Sequence, residues 1–220
     1  MYAFANFRSK FKRSAPCCKS KVDIALNRPR DKLVCINLRC LGQVSSTYPL
    51  ESVATKTIDP LFAACSPGTG ADVDSRFYGN PDLANKRYHQ LFEAKLDEVI
   101  EGLKKLPQQN NSPIFEGLQS VAVTSLGTPR AVPAKKRIII ISDFIHHTRQ
   151  HSMYQGVQSF KQFRTTNYYP QIKPDLAGAS VDYFVIPRDT MRRVQQPPLV
   201  EFWFEFTAAA NGVVGEWNPI

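Results

Sequence analysis

Lys135-Lys136-Arg137-Ile138-Ile139-Ile140-Ile141-Ser142-Asp143-Phe144 is the stretch that decides the fold. Four consecutive isoleucines leave no polar face, so residues 137–142 read as a strand buried on both sides, as central strands of parallel sheets are. The run stops at Ser142-Asp143. Open α/β sheets gather their ligand-facing groups beyond the carboxyl ends of such strands, which makes Asp143 the first candidate for chemistry. The competing reading is that Asp143 caps the loop or helix that follows, a frequent use of aspartate.

Working outward, Lys32 to Leu38 has the β-branched content of a strand, opened by the turn Arg28-Pro29-Arg30-Asp31. Residues 42–81 are rich in Ser, Thr, Pro, Gly and Asp and read as a long irregular connection. Asp82 is placed to cap a long amphipathic helix with Leu83, Leu91, Phe92, Leu96, Val99, Ile100, Leu103 and Leu106 on one face, ended by Pro107. A second helix starts at Asn111 or Ser112, because Pro113 suits the first helical position; Glu116 supports its first turn, and Ile114, Leu118 and Val121 form its inner face. Further on come a helix from about Ser152 to Arg164, a strand from Val181 to Ile186, and an aromatic helix from about Pro198 to Ala210, closed by Asn211-Gly212. Phe202, Trp203, Phe204 and Phe206 read as core rather than as a base-stacking platform, since neighbours on a helix point different ways. Strands alternating with helices imply parallel pairing in a doubly wound, three-layer α/β sandwich with a mostly parallel sheet.

The chain has 220 residues, 43% of them hydrophobic, a net charge of +9 and a mean hydropathy of −0.29, values that suit a globular protein. No apolar run is long enough to span a bilayer and no secretory signal opens the chain, so a cytoplasmic location is expected. Arg8, Lys10, Lys12, Arg13, Lys19 and Lys21 stand in residues 1–22 without an acid, so six of the nine net charges sit in one arm. Residues 1–27 therefore read as a basic, disordered arm ahead of a domain over 28–220. With Phe4, Phe7 and Phe11 interleaved, the arm would suit nucleic acid or another polyphosphate, a membrane surface, an organellar import role, or simply a solvated tail. Cys17, Cys18, Cys35, Cys40 and Cys65 are odd in number and lack a C-x-x-C spacing, so they read as ordinary thiols.

Taken in order, the segments 60–68, Ser112-Pro113-Ile114-Phe115-Glu116-Gly117-Leu118, Ile140-Ile141-Ser142-Asp143 and Phe202-Trp203 resemble a von Willebrand factor type A-like domain of the divergent bacterial kind, over roughly residues 30–212. The resemblance implies a Rossmann-like binding module rather than an enzyme, working in protein–protein interaction or assembly. It also implies a metal-ion-dependent adhesion site holding Mg²⁺, in which Asp143 supplies the third-loop carboxylate and Ser112 stands in for the second-loop Thr. Magnesium wants oxygen ligands in near-octahedral array. The family's first element, Asp-x-Ser-x-Ser, is nowhere in this chain. The expectation is thus a degenerate site that holds Mg²⁺ weakly or not at all, with the family's first strand missing or replaced. Strands 33–38 and 137–142 would then flank a vacancy, favouring homo-oligomers unless Val22 to Leu26 fills it.

The same region supports rival readings. His146, His147 and His151 invite a metal-dependent hydrolase, with His147 and His151 sharing a helix face as zinc ligands do and Asp143 assisting; against it, no Glu adjoins the first His and the histidines suit loop or capping roles. Ser66-Pro67-Gly68-Thr69-Gly70 is a weak phosphate cradle, and Asp72-Val73-Asp74-Ser75 a weak calcium loop; both default to flexible turns. Lys135-Lys136-Arg137 and Arg192-Arg193 add to the arm as contacts for nucleic acid, though the body beyond the arm is nearly neutral.

Overall fold

A computed structural model of the chain describes residues 20–26, 34–40, 68–73, 79–95, 97, 98, 101, 111–126 and 136–219. Among the described residues, five strands form one sheet in the order in which they occur in the chain: β1 (Ser20–Leu26), β2 (Val34–Cys40), β3 (Lys136–Ser142), β4 (Ser180–Val185) and β5 (Val213–Pro219). β3, β4 and β5 run parallel, whereas β1–β2 and β2–β3 are antiparallel. The protein is therefore of the α/β class with a mixed sheet.

The expected vacancy beside the isoleucine strand does not exist. β2 pairs directly with β3, setting Val34, Cys35 and Ile36 opposite Ile141, Ile140 and Ile139. Antiparallel pairing needs no crossover helix, so two apolar runs of matching length can join without the strand thought to be missing. Ser20–Leu26, at the end of the basic arm, lies outside β2 at the sheet edge and fills no gap. The rest of the arm, Phe4, Phe7 and Phe11 included, falls outside the described residues.

The core follows from two helices with regular apolar spacing. Helix α2 (Ile114–Val121) buries Ile114, Phe115, Leu118 and Val121, and continues into a π-helical turn over Ala122–Leu126. Helix α5 (Pro197–Ala209) buries Leu199, Phe202, Trp203 and Phe206, an i, i+3, i+4, i+7 stripe. These pack with Ile138 and Ile140 of β3 and Val181, Tyr183 and Val185 of β4 in one cluster. Each large apolar side chain so buried stabilises the fold by about 1.5–3 kcal/mol. Ile139 and Ile141 are buried as well, so β3 is covered on both faces as its sequence implies. Helix α5 ends in a Schellman motif. Asn211 takes φ 57° and the Gly212 amide donates to Thr207 O at 2.9 Å.

Three local expectations are corrected. Helix α1 (Pro81–Tyr88) is capped by Asn80, whose Oδ1 accepts the Leu83 amide at 3.0 Å, not by Asp82. A π-helical turn over His89–Glu93 follows it and breaks the register of the intended apolar face. Leu83 and Leu91 are accordingly 45% and 63% exposed while Phe92 is buried; Leu96, Val99, Ile100, Leu103 and Leu106 lie outside the described residues. The helix expected over 152–164 shrinks to α3 (Phe160–Phe163), started by Ser159 Oγ accepting the Gln162 amide, and a short α4 (Tyr169–Ile172) precedes β4. Residues 143–159 are loop.

Candidate functional site

Parallel pairing sets Ser142 level with Val185, so the segments leaving β3 and β4 emerge side by side at one rim. Asp143 and Arg188 meet there. Arg188 Nη1 donates to Asp143 Oδ2 at 2.7 Å and to the Tyr154 hydroxyl at 3.3 Å, and Asp143 Oδ1 accepts the Ile145 amide at 3.0 Å. Asp143 is 1% exposed, and the Arg188 side chain 16%. Burial works to lower the Arg188 pKa, but the hydrogen bonds and charge of Asp143 and Tyr154 outweigh it and the net shift is upward. Gln195 ties the two segments together: its Nε2 donates to Asp143 O at 3.0 Å and Ile186 O at 2.9 Å, and its Oε1 accepts the Arg188 amide at 2.7 Å. The capping role weighed for Asp143 thus takes the form of an Asx turn.

Ser112 reaches the same loop. Its amide donates to His147 O at 2.7 Å and its carbonyl accepts the His147 amide at 3.0 Å, an isolated bridge that brings the start of α2 against the segment after Asp143. Between Ser112 and Ile114, Pro113 adopts φ −82°, ψ 65°, an inverse γ-turn closed by the Ile114 amide on Ser112 O at 2.9 Å. The Ile114 amide is also held by His146 Nδ1 at 3.2 Å, a cap supplied from the loop after β3.

Since Nδ1 accepts, neutral His146 carries its proton on Nε2, which stands 3.2 Å from the Tyr168 hydroxyl and 3.4 Å from Thr148 Oγ1. Tyr168 in turn donates a short hydrogen bond to Glu116 Oε1. Glu116 Oε2 and His151 Nε2 are buried with no hydrogen-bond partner. Burial raises the Glu116 pKa, against the lowering effect of the Tyr168 bond, and lowers that of His146 far below its ordinary value, the nearby His151 and His147 adding to the effect. Burial lowers the His151 value too. The Phe115 ring stacks on His146 with centroids 4.1 Å apart.

This geometry does not suit magnesium. Both Asp143 oxygens are engaged, a guanidinium occupies the charge position a cation would need, and among the described residues no group of three or more His, Cys, Asp or Glu side chains is placed to hold a metal ion. The zinc arrangement is not formed either. His147 and His151 lie in loop rather than on a helix face; His147 Nδ1 bonds Ser152 Oγ at 2.8 Å and His151 Nδ1 lies 3.5 Å from Gln158 Nε2. Ser66 and Pro67 fall outside the described residues, as do Asp74 and Ser75, while the Gly70 amide is spent on Asn85 Oδ1 at 2.6 Å. Of the basic groups, Arg137 pairs with Asp182, Lys136 Nζ donates to Leu126 O at 3.2 Å, and Arg192 pairs with Asp189 at 2.7 Å.

No protein-family model, curated protein or solved structure matches this chain. No helix among the described residues is long and apolar enough to cross a membrane.

Sequence reasoning placed Asp143, Ser112 and the histidines but missed Arg188, Gln195, Tyr154 and Tyr168. One signal was available. Ile186-Pro187-Arg188-Asp189 ends a strand just as Ser142-Asp143 does, and opposite charges past two neighbouring parallel strands are positioned to pair.

Proposed function

We propose that this chain is a non-enzymatic protein-interaction or assembly module of the von Willebrand factor type A-like kind, with its ion site degenerate and replaced by the Asp143–Arg188 pair. The observation that carries the reading is Arg188 Nη1 at 2.7 Å from a buried carboxylate, at the carboxyl ends of adjacent parallel strands. In an ion-dependent module that carboxylate turns to a divalent cation and the cation to an acidic group of the partner. Here a guanidinium supplies the positive charge permanently, so recognition at the rim is independent of metal. The parallel β3–β4–β5 unit with α5 as a crossover supports the doubly wound reading, and the antiparallel β1–β2 pair marks its departure from that pattern.

The test is a photo-crosslinking residue placed at exposed Arg192 on the rim and, as a control, at exposed Glu205 on α5, in cells of the source organism. Protein adducts from the rim position alone, unchanged by chelator, are expected. Adducts that vanish with chelator, or equal labelling from both positions, would overturn the reading. Isothermal titration of the purified chain with Mg²⁺ should give no binding heat. Nothing in the site favours the hydrolase alternative with Asp143, His147 and His151.

A further inference from the structure

We propose that His146 is an acid-operated latch between helix α2 and the loop after β3: protonation at Nδ1 expels the Ile114 amide and turns the ring toward the Glu116 carboxylate, releasing the start of α2 from the rim. The geometry provides two mutually exclusive partners for one nitrogen. In the closed arrangement Nδ1 accepts the Ile114 amide at 3.2 Å. A protonated Nδ1 cannot accept that bond and must find an acceptor. Glu116 Oε2 is the acceptor at hand: it lies 4.0 Å away, is buried, and has no hydrogen-bond partner.

Among the described residues, the titratable groups round the ring come from three segments. From α2 there is Glu116; from the loop after β3, His147 and His151; from the segment before α4, Tyr168. Phe115 covers the ring face and Thr148 Oγ1 lies near Nε2. Burial and the two neighbouring histidines oppose the proton, so the closed latch excludes it and an open arrangement takes it up. Opening breaks the Ile114 cap, and the Ser112–His147 bridge one residue further along the loop loses its support. Because Asp143 begins that loop, acid loosens the rim and neutral pH fastens it. The latch stands whether or not the rim binds a protein.

The experiment is hydrogen exchange of the full chain, read as protection factors of the Ile114–Val121 amides between about pH 7.5 and about pH 5.5, a range bracketing the ordinary histidine value. A one-proton opening should lower protection about tenfold per pH unit below that value. His146→Asn, which keeps an acceptor oxygen but cannot titrate, should make the profile markedly shallower, leaving only the contribution of His151. Glu116→Gln should move the loss to lower pH, since the imidazolium is deprived of its carboxylate. Unchanged protection in the parent protein, or an equally steep loss in His146→Asn, overturns the latch. Should His146→Asn fail to fold, nitrogen NMR of the parent decides: an Nε2–H tautomer near neutrality that titrates in step with α2 protection is expected, and an Nδ1–H tautomer or a titration out of step overturns it.

Discussion

Replacing Arg188 by Met tests the Asp143–Arg188 pair most directly. The substitution keeps most of the aliphatic stem and removes the guanidinium that donates to Asp143 Oδ2 and the Tyr154 hydroxyl. Asp143, at 1% exposure, would be left as a buried carboxyl group without that guanidinium. Removing one member of a buried pair costs about 3–5 kcal/mol, and the 16% exposure of Arg188 places this pair at the lower end, near about 3 kcal/mol. Asp143→Asn is milder, at about 1.5–2 kcal/mol, because an asparagine oxygen still accepts the Ile145 amide and Arg188 sits close enough to the surface to rehydrate. The double variant removes both charges together and should be less destabilised than the two single losses added, with a coupling of about 1–3 kcal/mol. Urea unfolding at neutral pH reads all three as shifts in midpoint at constant slope. Millimolar Mg²⁺ should not rescue Arg188→Met, since one carboxylate without further fixed oxygens holds that ion poorly. Additive single losses, a loss below about 1 kcal/mol for Arg188→Met, or rescue by Mg²⁺ would each refute the assignment.

Trp203→Phe removes the Nε1 bond to Phe144 O at 2.9 Å and leaves that buried carbonyl unpaired, a loss of about 1–3 kcal/mol in the same unfolding assay. Gly215→Ala should destabilise the fold, because an added Cβ would collide with Asp182 Oδ1 and come within 2.8 Å of Val181 O where β4 and β5 slip register; heat denaturation should show a Tm lowered by several degrees, roughly 2–4 °C per kcal/mol in a chain of this size. Stability should decline as pH falls below 6.5, because His146 and His151 have folded-state values below their unfolded ones and their contribution is complete only above the unfolded value. Glu116 acts in the opposite sense: its raised value means its contribution is full below 4.5 and is lost as pH rises through the folded value, so it offsets part of the acid decline, which urea midpoints measured across pH should show as a shallower fall as pH drops from the folded value toward 4.5.

What could be read from the sequence was local. The isoleucine strand, the start of α2 close to Pro113 (which stands at the N-cap, one place before the first helical position expected for it), the i, i+3, i+4, i+7 stripe of α5 and the Asn211-Gly212 stop all depend on residues within a turn or two of one another. The direction of β2 does not, because its register with β3 is set across about a hundred residues, and either direction would bury the same apolar run. The π-helical turn at His89–Glu93 has no composition signature and defeated the face drawn through Leu83 and Leu91. β5 was missed because Val213–Pro219 mixes Gly, Glu, Asn and Pro with its apolar residues, and its pairing with β4 supplies the order its own propensity lacks. The site divides in the same way. A carboxylate at a strand end is legible; its partner, 45 residues away, is not.

Why the carboxylate is held by arginine follows from how rigidly the rim is made. Phe144 takes φ 61°, a conformation that costs a bulky residue about 1–3 kcal/mol. It is over-determined there. Its amide donates to Ser142 Oγ at 3.0 Å, its carbonyl accepts from Trp203, and its ring lies 5.5, 5.6 and 5.1 Å from those of Tyr183, Trp203 and Trp217. Each constraint fixes the backbone immediately after Asp143, and Gln195 fixes the carbonyl of Asp143 itself. A carboxylate set this firmly cannot swing between an arginine and an incoming ion, as a switching metal site requires. The rim is therefore preformed, and a partner would meet the same arrangement of Arg188, Tyr154 and Gln195 that the protein alone presents. Binding on such a surface should show little change in backbone exchange at residues 143–147 at neutral pH, and ordering of that loop on binding would argue against a preformed rim.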